Sequence, residues 1–557
     1  MKRHLFFVIL VFGRVGMFAG DIIGVGNEMF GIDAHLNIIV VNQDVNSINA
    51  AWTDKKEAIY LNELYLMESP VEYVQRGVAY PVTNYQGDRY TLYFTQLPLI
   101  FITSAKQIPD EPKIPAKFTI VESDGSKMTS DIGIETRGGW TQGFYAKKSY
   151  KITFREDDSG KNNKDVSLLG LRSDDDWDLQ AMPNEPLRIN EKTSFELWRK
   201  INTLHYQSSE AEAVNGCRME YAELFLNEEY KGIYCVSEPI DRKQLQLGKY
   251  DEQKGIKGEL YKSQGWGATV FSSCPPYDNN SFLWINLDGY GYENKYPKEV
   301  PPDWEDLYDF VYLVLDGSDS RFYAQYQSYF NIENVTDYFI LLNVARARDN
   351  TGNNLFVARY NAGEPYFYVP WDFDGSFGNE WDGSKNAGTT DILTNGFYAR
   401  LLKDYSENGF IQRLQTKWEL LRKDCLTASN LTDMFRENYH YLKENGVYER
   451  EESVWKTKDG YRFDSQYAEY MQDWITERLL FLDNEFNDYR AIVPKTCIQK
   501  MQYPCDVRIY NANGQLIKTF RSVHSENEIS YHELNRGIYF IRFQSNDSYR
   551  AGKIVVR

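Results

Sequence analysis

The sequence predicts an α+β protein with a β-rich N-terminal lobe, a helical C-terminal lobe and a small C-terminal β-sandwich. Short apolar runs bounded by turn residues indicate strands as far as about residue 236. Beyond about residue 300, apolar residues recur at the three-to-four spacing of helices. That spacing stops after Phe486, and short strands return. At 557 residues the chain exceeds the size of one core, which stops growing near roughly 250–300 residues.

The N-terminus has the layout of a signal peptide. A basic start at Met1–His4 precedes an unbroken apolar run from Leu5 to Phe12, and small residues follow near Gly20. The run is too short to span a bilayer, so we predict a signal peptide over residues 1–19. No other segment approaches the roughly 20 apolar residues of a spanning helix, and we expect no transmembrane segment.

Residues 20–90 are predicted to be a β-rich segment without a chemical signature, and residues 91–487 the main domain. A turn at 123–126 has the composition of a hairpin turn. The strands predicted for this domain are 93–94, 99–102, 117–121, 132–135, 149–154, 221–226 and 231–236. The predicted helices are 186–202, 335–347, 396–402, 411–426 and 463–486. We expect a linker at 488–504 and the sandwich at 505–557.

Charge and cysteine content narrow the possible functions. Lys and Arg number 62 against 80 Asp and Glu, a net charge of −18 that argues against non-specific nucleic-acid binding. None of the six cysteines shows a CxxC metal spacing. Cys497 with Cys505, or Cys217 with Cys235, could form disulfides in an exported protein, and buried free thiols are the alternative.

One stretch carries the spacing of a phosphoryl-transfer site. Arg348-Asp349 is followed by Asn354, which gives the Arg-Asp-x-x-x-x-Asn arrangement of a kinase catalytic loop. An apolar strand then leads to Asp372-Phe373-Asp374-Gly375. Phosphoryl transfer needs a carboxylate to orient the acceptor hydroxyl and oxygen ligands for Mg²⁺. Asp and Asn are also ordinary turn residues, and the second acidic motif is what favours a site.

In these motifs the chain resembles the CotH (spore coat protein H) kinase family. The resemblance runs from about residue 97 to 486. It includes the 348–354 loop and the Pro370–Gly375 block. The other matching stretches are 134–139, 147–152, 177–179, 187–190, 226–234 and 238–240. The resemblance implies an atypical two-lobed protein-kinase-like fold that binds ATP with Mg²⁺ or Mn²⁺ and phosphorylates Ser or Thr of a protein substrate.

The same resemblance implies roles for individual residues. Asp349 would be the catalytic base, Asn354 and Asp372 the metal ligands, and Asp374 a helper.

For the nucleotide, Lys148 would hold the ATP phosphates, with Lys147 and Lys151 as alternatives. Strand alternation favours Lys148, which has the parity of Tyr150 and Ile152. Arg137 would lie near the phosphates beside a Gly-Gly turn, and Glu238 near the adenine. Arg188 either pairs with acids or lies in solvent.

The tail resembles a type IX secretion C-terminal sorting domain, through 507–515, 534–540 and 553–557. That resemblance implies a Bacteroidetes-type source, the type IX secretion machinery as a partner, and export through periplasm and outer membrane to the surface or the medium. An ordinary small β-sandwich binding module is the alternative.

Two further functions compete with the kinase prediction. A nucleotidyl transferase would use a similar set of acids with ATP bound the other way round. A surface adhesion or glycan-binding protein on a kinase-like scaffold would use the aromatic residues around Trp266 and the insert from Tyr277 to Tyr296.

Overall fold

The computed structural model describes residues 20–556, apart from positions 27, 158, 459, 489–490, 493–502, 526–527, 530, 532–533, 536 and 546–548. The predicted signal peptide, most of the predicted linker and Cys497 lie outside the described residues. The chain divides into two compact units. The first comprises Met1–Lys192, Arg218–Pro239 and Arg436–Ser465, and the second Thr193–Cys217, Ile240–Phe435 and Gln466–Arg557.

The first unit opens with a seven-stranded sheet in the order β1-β4-β5-β6-β7-β3-β2. Its strands are β1 (Asp21–Gly24), β2 (Phe30–Asp33), β3 (Ile38–Asn42), β4 (Lys56–Tyr60), β5 (Leu64–Val71), β6 (Tyr80–Thr83) and β7 (Arg89–Thr95), with helix α1 (Val45–Ala51) after β3. The predicted strand at 93–94 belongs to this sheet rather than to the main domain, because β7 pairs in parallel with β3.

A closed seven-stranded barrel forms most of this unit's remaining β structure, in the order β10-β11-β14-β16-β15-β8-β9. Its strands are β8 (Leu99–Thr103), β9 (Ile114–Val121), β10 (Lys127–Arg137), β11 (Ser149–Arg155), β14 (Asp176–Gln180), β15 (Met219–Leu226) and β16 (Glu229–Ser237). The other elements are α2 (Trp140–Phe144), the strand pair β12 (Val166–Ser167) and β13 (Ser173–Asp174), and α11 (Val447–Trp455). The remaining predicted strands of the main domain are confirmed, and so is the hairpin turn between β9 and β10.

The second unit contains a five-stranded sheet in the order β18-β19-β17-β20-β21, together with seven helices that lie wholly within the unit's described residues. The strands are β17 (Glu259–Gln264), β18 (Leu283–Ile285), β19 (Gly291–Tyr296), β20 (Leu355–Arg359) and β21 (Phe367–Pro370). The helices are α4 (Arg242–Leu245), α5 (Glu305–Asp316), α6 (Asp319–Tyr329), α7 (Ile332–Ala345), α8 (Gly396–Leu401), α9 (Phe410–Leu421) and α12 (Tyr467–Asp488).

Two helices, α3 (Asn190–Ile201) and α10 (Ala428–Glu444), each contribute residues to both units. The helices predicted from the apolar spacing are confirmed, although α3 begins after Pro186 and α9 ends at Leu421. The helices α10 and α11 were not predicted. Mixed α and β structure is therefore what the sequence indicated, although strands β20 and β21 follow helices α5–α7 along the chain.

The tail forms one five-stranded sheet in the order β22-β26-β25-β23-β24. The strands are β22 (Ala491–Ile492), β23 (Cys505–Asn511), β24 (Leu516–Val523), β25 (Gly537–Gln544) and β26 (Tyr549–Val556), and every described pairing is antiparallel. A second sheet, which the predicted sandwich requires, is not found among the described residues of the tail.

Neither disulfides nor a membrane-spanning helix are found in the described part of the chain. Its five described cysteines are not joined in disulfides, so the suggested Cys217–Cys235 bond does not form. The suggested bond to Cys497 involves a residue outside the described ones. None of the described helices combines the length and the apolar character needed to cross a bilayer.

Candidate active site

The β20–β21 hairpin brings Asn354 and Asp372 together. Leu355 opens β20 and pairs with Pro370, which closes β21, so the residues just outside these two strand ends are neighbours. The backbone N–H of Trp371 donates to the carbonyl of Asn354 over 3.2 Å. Asn354 and Asp372 both adopt left-handed backbone conformations, with φ of 47° and 56°. Asn and Asp adopt this conformation more readily than other non-glycine residues, and such positions concentrate at functional sites.

Asp349 lies on the loop that leaves helix α7. Arg346 ends the helix in a left-handed conformation, and Asp349 opens a short 3-10 turn through Thr351. The carbonyl of Asp349 accepts from the N–H of Asn353 over 2.8 Å. Burial raises the pKa of the Asp349 carboxyl, the nearby charge of Asp372 raises it further, and Glu380 adds to this, while Arg348 opposes them. Three acids therefore act on one another at this loop.

Asn350, which the sequence analysis did not single out, ties the loop to the hairpin. Its side-chain amide is buried and donates to the carbonyls of Trp371 (2.7 Å), Asn354 (3.0 Å) and Asp372 (3.3 Å). The backbone carbonyl of Asn350 accepts from the Tyr338 hydroxyl over 2.8 Å. A single amide thus fixes the spacing between the Asp349 loop and the strand end that carries Asp372. The sequence alone did not indicate this role, because Asn is a common residue in turns.

Replacing Asn350 with alanine is expected to destabilise the protein by about 1–3 kcal/mol, because buried carbonyls lose their donor. Denaturant unfolding of the variant measures this loss. Asn353→Ala is the matched control three residues away; its half-buried side chain makes no such contacts, and we expect a change within about 0.5 kcal/mol. Equal losses in both variants would contradict the anchoring role of Asn350.

Asp374 caps the turn that follows Asp372. Its carboxylate accepts from the Gly375 N–H over 2.6 Å, and its carbonyl accepts from the Asn379 side-chain amide over 2.9 Å. Phe373, between the two acids, is fully buried with its ring 6.0 Å from that of Phe195. The two acids that flank this buried aromatic residue are themselves half-buried.

The residues present suit a divalent cation. The side-chain N–H of Asn354 is turned towards the carbonyl of Asp372, over 3.5 Å, so the amide oxygen is left for another partner. Carboxylate and amide oxygens are the ligands that Mg²⁺ prefers. Burial raises the pKa of Asp349, and the negative charges of Asp372 and Glu380 raise it further, against the opposing charge of Arg348. A cation would offset these negative charges.

In the first unit the structure buries Lys147 rather than Lys148. The Lys148 ammonium donates to the carbonyls of Gln142 and Tyr145, at the end of α2. Strand β11 begins only at Ser149, so the alternation that gave Lys148 the parity of Tyr150 and Ile152 does not extend back to it. The assignment of Lys148 to the ATP phosphates stays a prediction, and Lys147 is the buried alternative.

Lys147 belongs to a buried ion cluster with Glu451 of α11 and Arg188. The Lys147 ammonium lies 2.9 and 3.0 Å from the two Glu451 oxygens and 2.5 Å from the carbonyl of Ile233. The Arg188 guanidinium donates to Glu451 over 2.9 Å, which confirms pairing with an acid over exposure to solvent. Burial lowers the pKa of Lys147 to about 8 despite the opposing charge of Glu451.

The other nucleotide candidates of this unit also have protein partners. Arg137 ends β10; its guanidinium donates to Gln180 and lies 3.5 Å from an Asp178 carboxylate oxygen. The chain bends after it, with Gly138 at a φ of +119°. The fully buried Glu238 carboxylate pairs with Arg218 over 2.7 Å. Both nucleotide-binding roles stay predictions.

Comparison with known protein families then identifies the chain. The model of the CotH kinase protein family matches residues 134–482, which are 349 of the 557 residues. The model of the secretion system C-terminal sorting domain matches residues 491–557. No curated protein matches the chain.

The sorting domain makes this an exported protein, secreted or held at the cell surface, and implies the type IX secretion machinery as a partner. The chain belongs to the CotH kinase protein family.

Proposed function

We propose that this exported protein is an atypical, two-lobed protein kinase that transfers the γ-phosphate of ATP to Ser or Thr of exported or surface proteins. The observation that carries the proposal is the grouping of Asp349, Asn354 and Asp372 at the end of α7 and the open end of the β20–β21 hairpin. Phosphoryl transfer requires little from a protein beyond positioning and charge stabilisation, and these residues supply both.

In the proposed reaction, Asp349 orients the acceptor hydroxyl and takes its proton. The hydroxyl oxygen forms a bond to the γ-phosphorus while the bond between that phosphorus and the β–γ bridging oxygen breaks, and ADP leaves. Asn354 and Asp372 would hold Mg²⁺ or Mn²⁺, with Asp374 as a helper, and the metal would neutralise phosphate charge. The raised pKa of Asp349, caused by burial and then by Asp372, suits a group that must accept a proton.

For the nucleotide, we propose roles for four residues. Lys148 or Lys147 would meet the phosphates, Arg137 would add positive charge, and Glu238 would mark the adenine end. Lys148 is bonded to backbone carbonyls, whereas Lys147 is bonded to the Glu451 carboxylate. Because their partners differ, each lysine can be replaced without removing a partner of the other.

The decisive experiment incubates the protein, without residues 1–19, with ATP labelled at either the γ- or the α-phosphate and with Mg²⁺ or Mn²⁺. Casein and the protein itself serve as acceptor probes. Transfer of γ-label supports the kinase, and transfer of α-label would replace it with a nucleotidyl transferase. Absence of transfer together with absence of ATP binding would favour the surface-binding alternative, to which the exposed Trp266 and Tyr290 side chains are suited.

Asp372 should set the metal requirement of this activity. Asp372→Asn removes one negative charge and retains an oxygen, and affinity at such sites follows the number of charged ligands. We expect the Mg²⁺ concentration for half-maximal transfer to rise at least about tenfold. EDTA should abolish transfer by the wild type, and added Mg²⁺ should restore it. An unchanged metal titration in the variant would exclude Asp372 as a ligand.

A further inference from the structure

Arg478, on helix α12, is a fully buried arginine outside the acid group of the candidate site. Its Nε donates to the carbonyl of Asn343 over 2.7 Å. Its Nη1 donates to the carbonyls of Thr389 (2.7 Å) and Asp391 (2.6 Å) and lies 3.4 Å from an Asp391 carboxylate oxygen. One planar guanidinium therefore joins the end of α7 to the segment around Asp391.

Two further sets of hydrogen bonds join the end of α7 to the segment around Asp391. The guanidinium of Arg346 donates to both Asp391 carboxylate oxygens, over 2.7 and 2.9 Å. The Asn343 side chain accepts from the Leu393 N–H over 2.8 Å and donates to its carbonyl over 3.2 Å. These contacts, together with those of Arg478, form a clamp between α7 and residues 389–393, and we call it the α7 clamp.

The α7 clamp lies immediately before the candidate catalytic loop. Asn343 is in the last turn of α7, Arg346 is its left-handed terminal residue, and Asp349 follows three residues later. Arg346 also lies 3.9 Å from Glu380, one of the acids that act on Asp349. Any rotation or fraying of this helix end therefore displaces the Asp349 carboxylate.

Arginine is the residue type that can make this connection. Its fixed fork of donors reaches carbonyls in several directions, whereas a lysine in the same place offers a single point charge. A cation surrounded largely by carbonyls is costly to bury, and burial lowers the pKa of Arg478 to about 10 although Asp391 opposes this. A residue needed only to fill the core would carry no such cost.

We propose that Arg478 is a positioning residue that holds the Asp349 loop in its working geometry through the α7 clamp. The catalytic part of this inference rests on the proposed function, while the structural part does not. Displacement of a reacting group by about 1 Å can cost on the order of 100-fold in rate. The residue touches neither metal nor substrate and acts through the end of α7.

The test compares Arg478→Lys with the wild-type chain in two measurements. Amide hydrogen exchange reports on the peptides that cover 346–354 and 389–393 without any ligand. Steady-state kinetics of γ-phosphate transfer report kcat and KM for ATP. We expect at least about tenfold faster exchange in both peptides, and a kcat lowered about 10- to 100-fold with KM for ATP unchanged.

Arg422→Lys is the matched control. Arg422 pairs with Asp483 of the same helix α12 through two bonds of 2.8 Å, so the substitution also removes a bidentate arginine. It should leave exchange at 346–354 and kcat unchanged. If Arg478→Lys does not fold, Asp391→Asn tests the clamp through which Arg478 is proposed to act, because it weakens the pair with Arg346 at a half-exposed carboxylate. Unchanged exchange at 346–354 in that variant removes the route by which Arg478 would position the loop.

Unchanged exchange at 346–354 in the clamp variant overturns the inference, and so does faster exchange with an unaltered kcat. An inactive wild type refutes the proposed function, while the exchange data still decide whether Arg478 fixes the Asp349 loop.

Discussion

Replacing Asp349 with asparagine is expected to lower γ-phosphate transfer by about 100- to 10,000-fold, the usual cost of losing a general base. Asparagine has the size of aspartate and keeps one oxygen, but it cannot take the proton of the acceptor hydroxyl. The neutral asparagine also no longer repels Asp372 and Glu380, whose charges are the next largest causes, after burial, of the raised pKa of Asp349. Binding of Mg-ATP, measured by calorimetry, should therefore be retained.

The control for this prediction is Asp316→Asn, which changes the same residue type at the exposed end of α5. Transfer by the control should equal that of the wild type. A variant at Asp349 that retains wild-type kcat would remove this residue from the mechanism, even if the protein proves to be a kinase. Loss of both transfer and nucleotide binding would point instead to a structural role.

Glu451 carries the largest expected effect on stability. The carboxylate is buried and faces Lys147 and Arg188, each over 2.9 Å, as well as the N–H of Ile233 over 2.7 Å. Removing one partner of a buried ion cluster leaves uncompensated charge, so Glu451→Gln should cost about 3–5 kcal/mol in denaturant unfolding. The control is Glu444→Gln, because Glu444 is exposed and 3.9 Å from Arg76; we expect a change within about 0.5 kcal/mol.

The same variant has a pH signature. Burial by itself would raise the pKa of Glu451, but Lys147, Arg188 and the Ile233 N–H hold it below the ordinary value of 4.5. A carboxyl with a lowered pKa in the folded state stabilises the protein above its unfolded pKa, and this contribution is lost as the pH falls. Lys147 stays protonated on the acid side, because its own pKa is about 8.

The stability difference between wild type and Glu451→Gln should therefore be largest near neutral pH and shrink as the pH falls below about 4.5. Unfolding measured across the acid range tests this. A difference that stays constant with pH would mean that folding does not shift the pKa of Glu451.

The residues of the candidate site could be predicted from the sequence because they lie close together along the chain. Asp349, Asn354 and Asp372 are placed by one helix end and one hairpin, and the local pattern predicted the helix and the strand before Asp372 but not strand β20. Most barrel strands and the hairpin turn at Gly125 were predictable for the same reason. The roles assigned to these residues remain predictions that the experiments above decide.

The tertiary structure decided which charged residues are buried, and with which partners. Lys147 and Glu451 are 304 positions apart, and Arg478 is 135 positions from Asn343. Alternation along β11 favoured Lys148, because the sequence does not show that the strand begins at Ser149. A buried charge is stable only beside its partner, and that partner is supplied by chain folding rather than by local spacing.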